Sequence, residues 1–248
     1  AGALVGKQSL FMDAATGRQY WRYDHPLPDD LRACCGRNNR GVAILGDTLY
    51  MSTLDAHLVA IDARTGNLVW NREVADHTAG YSKTAAPLVV KNMVVTGIAG
   101  GDYGIRGFID AYDVRTGKRR WRAHTIPGEG EPGNDTWKGD SWQTGGSTAW
   151  LWGTYDADLN LIYYGTSNAA PWGGHTRGND SSDIGQYTNA GSASQLALNP
   201  DTGELVWSYQ MTPSDVWDYD GVNEAILVDL NVGGSNVPAL IKADRNGF

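Results

Sequence analysis

The chain has 248 residues and carries 28 Asp and Glu against 20 Lys and Arg, a formal net charge of −8. That balance argues against a nucleic-acid binder, since phosphate binding is driven by clustered Lys and Arg that release counterions, and no apolar run approaches the roughly 18 residues that a membrane-crossing helix needs. Gly 32, Trp 10 and Tyr 12 against Phe 3 is the composition of short strands punctuated by glycine and aromatic residues, as in a β-propeller.

In chain order, the first strand-like text is SLFM, which runs into DAATGRQYW at 13–21. The same pattern returns as DARTGNLVW at 62–70, DVRTGKRRW at 113–121 and NPDTGELVW at 199–207. The consensus [DN]-x-x-T-G-x-x-x-W describes a tight turn needing positive φ at Gly, followed by a strand whose Trp packs flat against the neighbouring repeat. Trp21, Trp70 and Trp121 are 49 and 51 residues apart, which suits one four-stranded blade each. Trp207 follows after 86, which suits a blade with an insertion. Between the motifs, VAILGDTLYMSTLDAHLVAID at 42–62 and APLVVKNMVVTGIAG at 86–100 alternate as strands do, with hairpin turns at Gly46-Asp47 and Lys91-Asn92. No convincing amphipathic helix of ten or more residues is found. RTGKRRWR at 115–122 reads as a solvated strand face. The Gly-, Pro- and Asp-rich text at 124–146 is expected to be a long surface excursion. The chain opens and closes in strand-like text, so we expect a single all-β domain over 1–248, about half of an eight-bladed propeller with about four blades, taken from a longer protein. Such a piece is expected to be unstable or to aggregate when isolated, because sheet faces and edges are left bare.

Several short stretches carry candidate chemistry. RACCGRNNRG at 32–41 holds both cysteines of the chain, Cys34 and Cys35, side by side. Neither an ordinary disulfide nor a C-x-x-C metal site suits adjacent residues. In WDYDGVNE, Asp218 and Asp220 are two apart, so on an extended segment both could converge on one hard cation; a polar turn is the plainer reading. In GTSNAAPW, Asn168 is either a turn-stabilising residue or a metal-ligating amide oxygen. AGGDYGIRG at 99–107 has glycines that allow close backbone approach around Asp102, but lacks the spacing and following helix of a dinucleotide site. The five histidines show no metal spacing along the chain and no nucleophile partner.

Taken as an ordered set, CCGRNNRG, AGGDYGIRG, GDSWQTGGSTAW, GTSNAAPW, WDYDGVNE and ADRNG closely resemble the quinoprotein alcohol dehydrogenases, the methanol and ethanol family that uses pyrroloquinoline quinone (PQQ) in an eight-bladed propeller. The resemblance implies that Cys34 and Cys35 form a vicinal disulfide against one face of the quinone while Trp150 stacks on the other. It implies that Arg40 pairs with a PQQ carboxylate, that Thr84 and Thr148 donate hydroxyls, that Gly100 and Gly101 add backbone contacts, and that Arg245 reaches the quinone oxygens. Asp102, Asn168 and Asp218 would hold a metal ion that polarises the reactive carbonyl, and Asp218 would be the general base. In the calcium enzymes the position of Asp220 is not a carboxylate, whereas the lanthanide-dependent group has Asp there; an added anionic oxygen suits a trivalent ion, so a lanthanide is favoured over Ca²⁺. Two positions depart from the family pattern. Asp102 stands where Glu is usual, and Ala99 where a Ser commonly contacts the cofactor.

By resemblance, then, the parent protein is a PQQ- and metal-dependent dehydrogenase of small primary alcohols, methanol or ethanol, that passes electrons to a cytochrome c in the periplasm and is compatible with a homodimer. A vicinal disulfide also fits an oxidising compartment. Two other functions compete: a non-enzymatic propeller scaffold, which would need the Trp repeats but none of Cys34, Cys35, Asn168 or Asp218, and a quinoprotein for sugars or polyols, in which the adjacent cysteine pair is generally absent.

Overall fold

The computed structural model describes residues 4–5, 8–178, 185 and 187–248. Its sheets follow one another along the chain as antiparallel meanders. The first holds β1 (Leu4–Val5), β2 (Gln8–Met12) and β3 (Gln19–Asp24). Three four-stranded sheets come next: β4 (Val42–Leu45), β5 (Thr48–Ser52), β6 (His57–Asp62) and β7 (Leu68–Glu73); β8 (Leu88–Val90), β9 (Met93–Gly97), β10 (Phe108–Asp113) and β11 (Arg119–His124); β12 (Thr154–Asp156), β13 (Leu161–Gly165), β14 (Ser194–Leu198) and β15 (Leu205–Gln210). A hairpin of β16 (Ile226–Val232) and β17 (Ser235–Ile241) follows. Among the described residues the only helices are short 3-10 turns. The fold is all-β, part of a propeller, and among the described residues no helix is long and apolar enough to cross a membrane.

The period-2 alternation of the strands explains how the sheets pack, because each inner strand buries both faces. On β6, Leu58 and Ala60 enter the core shared with the next sheet, while Val59 and Ile61 enter the core shared with the previous one. On β9 and β10, Val94 and Tyr112 face the earlier sheet and Val95 and Ala111 the later one. The core is therefore a series of layers between blades rather than one central mass.

The repeated turn locks this stacking. Asp62 Oδ1 accepts from the Arg64 and Thr65 amides at 3.0 and 2.8 Å and from the Thr65 hydroxyl at 2.9 Å, and Gly66 turns the chain at φ 77°. The Trp at the end of each of the first three motifs then lies on the glycine of the following motif. A Cβ on Gly66, Gly117 or Gly203 would sit 2.8, 2.8 or 2.6 Å from the ring of Trp21, Trp70 or Trp121. The indole N–H groups donate to Ala63, Val114 and Pro200 carbonyls at 2.9, 3.1 and 2.8 Å. A bulge in the strand before each turn, for example between Ala60 and Ile61, recurs in all four repeats.

The turns at Gly46-Asp47 and Lys91-Asn92 join β4 to β5 and β8 to β9. The basic stretch at 115–122 is mostly solvated, but Arg122 pairs with buried Asp110 at 2.7 Å and lies over the Phe108 ring at 3.5 Å. The segment 124–146 is not simply a surface excursion. Its Trp137 is buried with Ile126 and Ala169 and donates to the Ala190 carbonyl at 3.1 Å. A second excursion, between β13 and β14, covers it; an indole in Gly- and Pro-rich text becomes buried only when such a lid folds over it. Both excursions lie at the same end of the sheets as the connections β3–β4, β7–β8 and β9–β10, while the tight T-G turns lie at the other end.

Candidate cofactor and metal cleft

The long connections at that end enclose a cleft of ≈ 230 Å³, open at its mouth. The β3–β4 connection brings Cys34, Cys35 and Arg40, β7–β8 brings Thr84, β9–β10 brings Gly100, Gly101 and Asp102, and β11–β12 brings Thr148 and Trp150. The β13–β14 connection adds Asn168, β15–β16 adds Asp218 and Asp220, and the segment after β17 adds Arg245. Every site candidate named from the sequence lines this one cleft. Ser82, Ser167 and Tyr103, which sequence reasoning missed, line it too, as does Ala99. Ser82 could have been found from its place two before Thr84, because Lys83 between them points the other way, into the core, where its Nζ donates to Thr96 Oγ1 and Gly97 O at 2.8 and 2.7 Å.

Cys34 and Cys35 form a disulfide, with Cα atoms 3.8 Å apart. The Arg40 and Arg245 guanidinium carbons lie 5.0 and 6.0 Å from the Trp150 ring centre. The cleft therefore offers a flat aromatic wall, a disulfide wall and two cations, a donor set that matches a planar polycarboxylate such as PQQ. Gly100 sits at φ +107°, and a Cβ there would lie 2.0 Å from the Gly80 carbonyl oxygen, so only glycine fits. At Gly101 a Cβ would meet Thr148 Oγ1 at 3.4 Å and encroach on the cleft floor. The two threonines are already engaged. Thr84 Oγ1 donates to the Trp150 carbonyl at 3.1 Å, holding the aromatic wall, and Thr148 Oγ1 lies 3.1 Å from Ser167 Oγ.

The acidic end is built differently. Asp220 is buried, with Oδ1 accepting from the Asn168 amide at 2.8 Å and Oδ2 from Arg245 at 3.0 Å. Burial pushes its carboxyl up to about 6. The Asp218 carboxyl is also raised, first by burial and then by the negative charge of Asp102. Asn168 donates its Nδ2 to the Ala169 carbonyl at 3.1 Å, which leaves its oxygen as the end open to another partner. Carboxylates that oppose one another's ionisation, beside an amide oxygen and with one Arg at the edge, form a hard-oxygen donor set that fits a cation.

Asp218 and Asp220 both adopt positive φ, 62° and 57°. What holds them there is Asp215, fully buried, which the sequence reading passed over. Its Oδ1 accepts from the Trp217 amide at 2.9 Å and its Oδ2 from the Tyr219 and Asp220 amides at 3.0 and 3.2 Å. Its carbonyl is in turn held by Arg177, itself fully buried and bonded to Asn189 Oδ1 at 2.6 Å and the Pro171 carbonyl at 3.0 Å. The Thr-Pro-Ser-Asp text before the loop is a turn-initiating signature that could have pointed to Asp215; nothing local points to Arg177.

Residues 7–248 match the family profile described as PQQ: Glucose/ethanol/alcohol dehydrogenase, beta-propeller domain. The chain is 46% identical over 264 residues to the quinoprotein alcohol dehydrogenase PedH of Pseudomonas putida, covering 99% of this chain and 43% of that protein. It is 45% identical over 235 residues to a lanthanide-dependent methanol dehydrogenase of Methylacidiphilum fumariolicum, covering 87% of this chain and 37% of that protein. Among solved structures, a europium-containing methanol dehydrogenase superposes with a TM-score of 0.90 at 39% identity, over 100% of this chain and 46% of that one. The chain thus spans less than half the length of these relatives. With the Trp-docked blades and the cleft of this geometry, these likenesses make the chain a member of the PQQ-dependent quinoprotein alcohol dehydrogenase family.

Proposed function

We propose that the full-length protein oxidises small primary alcohols, methanol or ethanol, to aldehydes, using PQQ and a lanthanide ion in this cleft and passing electrons to a cytochrome c in the periplasm. The observation that carries the reading is that Asp102, Asn168, Asp218 and Asp220 line the same cleft as Cys34, Cys35 and Trp150. Bound there, the quinone supplies a two-electron acceptor and the cation a Lewis acid.

The residues of the chain do the rest. Cys34–Cys35 and Trp150 hold a planar group by dispersion from both faces, and Arg40 neutralises a carboxylate at its edge. Asp102, Asn168, Asp218 and Asp220 hold the cation. Asp218 would take the alcohol O–H proton as hydride leaves the carbinol carbon. Arg245, already bonded to Asp220 at 3.0 Å, would place a positive charge at the quinone's edge. Asp220 supplies the additional anionic oxygen that favours a trivalent ion over Ca²⁺.

The test is reconstitution of the full-length protein with PQQ plus either La³⁺ or Ca²⁺, followed by dye-linked oxidation of methanol and ethanol. Activity with La³⁺, and its loss in Asp218→Asn, is expected. Activity with Ca²⁺ alone overturns the metal assignment, and no activity together with no PQQ absorbance after dialysis overturns the enzyme reading.

A further inference from the structure

Although no two of the histidines are spaced like metal ligands along the chain, the fold brings two of them together with a carboxylate outside the cleft. His25 follows β3, Asp55 sits in the β5–β6 turn and His57 opens β6. His25 and Asp55 are buried and His57 is partly so, and their ligand atoms all lie within 4.8 Å of one another. His25 Nε2 is 3.0 and 2.9 Å from the two Asp55 oxygens, and His57 Nε2 is 3.8 Å from Asp55 Oδ2. None of the three lines the cleft.

The hydrogen bonds around the trio fix what it offers. His57 Nδ1 lies 2.8 Å from Asn71 Oδ1, an atom that only accepts, so the imidazole proton is on Nδ1. In the neutral ring Nε2 then carries a lone pair 3.8 Å from a carboxylate oxygen, two acceptors that only a proton or a cation between them can reconcile. Thr53 Oγ1 donates to Asp55 Oδ1 at 2.6 Å and fixes the carboxylate from the other side. A histidine whose far ring N–H is held by an amide oxygen, and a carboxylate whose far oxygen is held by a hydroxyl, are arranged as metal ligands with their supporting shell are arranged.

We propose that His25, Asp55 and His57 form a second cation site, for a divalent first-row ion of the Zn²⁺ class, that ties the end of β3 to the β5–β6 turn. Two imidazoles and one carboxylate select such an ion over Ca²⁺ or Mg²⁺, which prefer all-oxygen sets. Donors about 2.0–2.2 Å from a tetrahedral zinc stand roughly 3.3 Å apart. The separations of 2.9 and 3.8 Å bracket that value. In the bound form His25 carries its proton on Nδ1 and leaves Nε2 to the cation, and water completes the coordination on the His57 side, where the side chain is 25% exposed.

The experiment uses full-length protein stripped with chelator, and the same protein carrying Asp218→Asn and Asp220→Asn so that the cleft does not compete. Zn²⁺ alone is titrated against a chromophoric chelator, with bound zinc counted after gel filtration and the Co²⁺ visible spectrum recorded for donor type. One Zn²⁺ per chain is expected in the cleft-disabled protein, with a thermal midpoint raised by zinc. Asn71→Ala should weaken binding by ~10–100-fold. His57→Ala should abolish it while the far-UV circular dichroism is unchanged. No zinc uptake by the cleft-disabled protein, or equal uptake in His57→Ala, overturns the proposal and leaves the trio as a protonated His–Asp hydrogen-bond network. If His57→Ala fails to fold, Asn71→Ala alone decides, since undiminished affinity there refutes the supporting role that fixes His57.

Discussion

Asp215→Ala removes the side chain that holds the loop of Asp218 and Asp220, the proposed cation ligands, without touching the cleft. Three backbone amides lose a charged acceptor, from which hydrogen bonds contribute about 1.5–3 kcal/mol each. Against them stand two residues, Asp218 and Asp220, held in left-handed backbone conformation, each costing on the order of 1 kcal/mol. Without Asp215 the loop loses the bonds that offset those ~2 kcal/mol, leaving Asp220 tied only by Asn168 and Arg245 and Asp218 free to move unless the cation itself supplies the energy. Cation affinity should therefore drop by about 30-fold, at 1.4 kcal/mol per decade. The assay is Tb³⁺ titration of the full-length protein, read by emission sensitised through nearby tryptophan, alongside kcat and KM for alcohol. Asp215→Asn keeps the Oδ1 bond to Trp217 but points an NH₂ at the Tyr219 and Asp220 amides, so it should fall close to Asp215→Ala. A variant with a lowered thermal midpoint but wild-type Tb³⁺ affinity would refute the reasoning, since Asp215 would then be structural only.

Three further outcomes are expected. Trp150→Ala removes an aromatic wall worth about 1.5–3 kcal/mol of apolar burial, so retention of PQQ through dialysis should fall by ~10–100-fold in affinity. An unfolded-state carboxyl ionises near 4 whereas that of Asp220 ionises at about 6, so between those values the folded protein keeps a proton the unfolded chain has lost. Cation-free stability then decreases as pH rises through that window, while cation affinity, which needs the carboxylate, increases over it and levels off above; Asp220→Asn should flatten most of that slope. Lys83, fully buried, is held down to about 7 first by burial, with Asp110 opposing the shift. The unfolded chain binds the proton more tightly, so wild-type stability rises with pH from 7 toward 10. Lys83→Met should be at least as stable at pH 7 by urea denaturation, the gap narrowing at higher pH.

The layered core was legible because apolar neighbours such as Leu58 and Val59, or Val94 and Val95, face opposite sides of strands buried on both faces. The cleft was legible for another reason: its residues stand in short ordered motifs, and each motif falls in a loop at one end of the blades. What sequence could not show was convergence between loops. Arg177 reaches Asp215 across 38 residues and His25 reaches Asp55 across 30, and no local pattern encodes either contact. The burial of Trp137 was hidden for the same reason, since the segment that covers it is a separate excursion.

The docking of each Trp on the following glycine has a consequence for how such proteins diversify. Trp21, Trp70 and Trp121 reach their carbonyl acceptors across 42, 44 and 79 residues with nearly the same N···O distance. The joint between blades is thus indifferent to how much chain lies between its two halves. Since the tight turns carrying that joint face one end and the long connections the other, a loop at the cleft can lengthen, shorten or be exchanged without retuning the frame. Alcohol selectivity and ion preference can drift while the angular spacing of the blades stays fixed, so the scaffold inherits mutations in two uncoupled compartments.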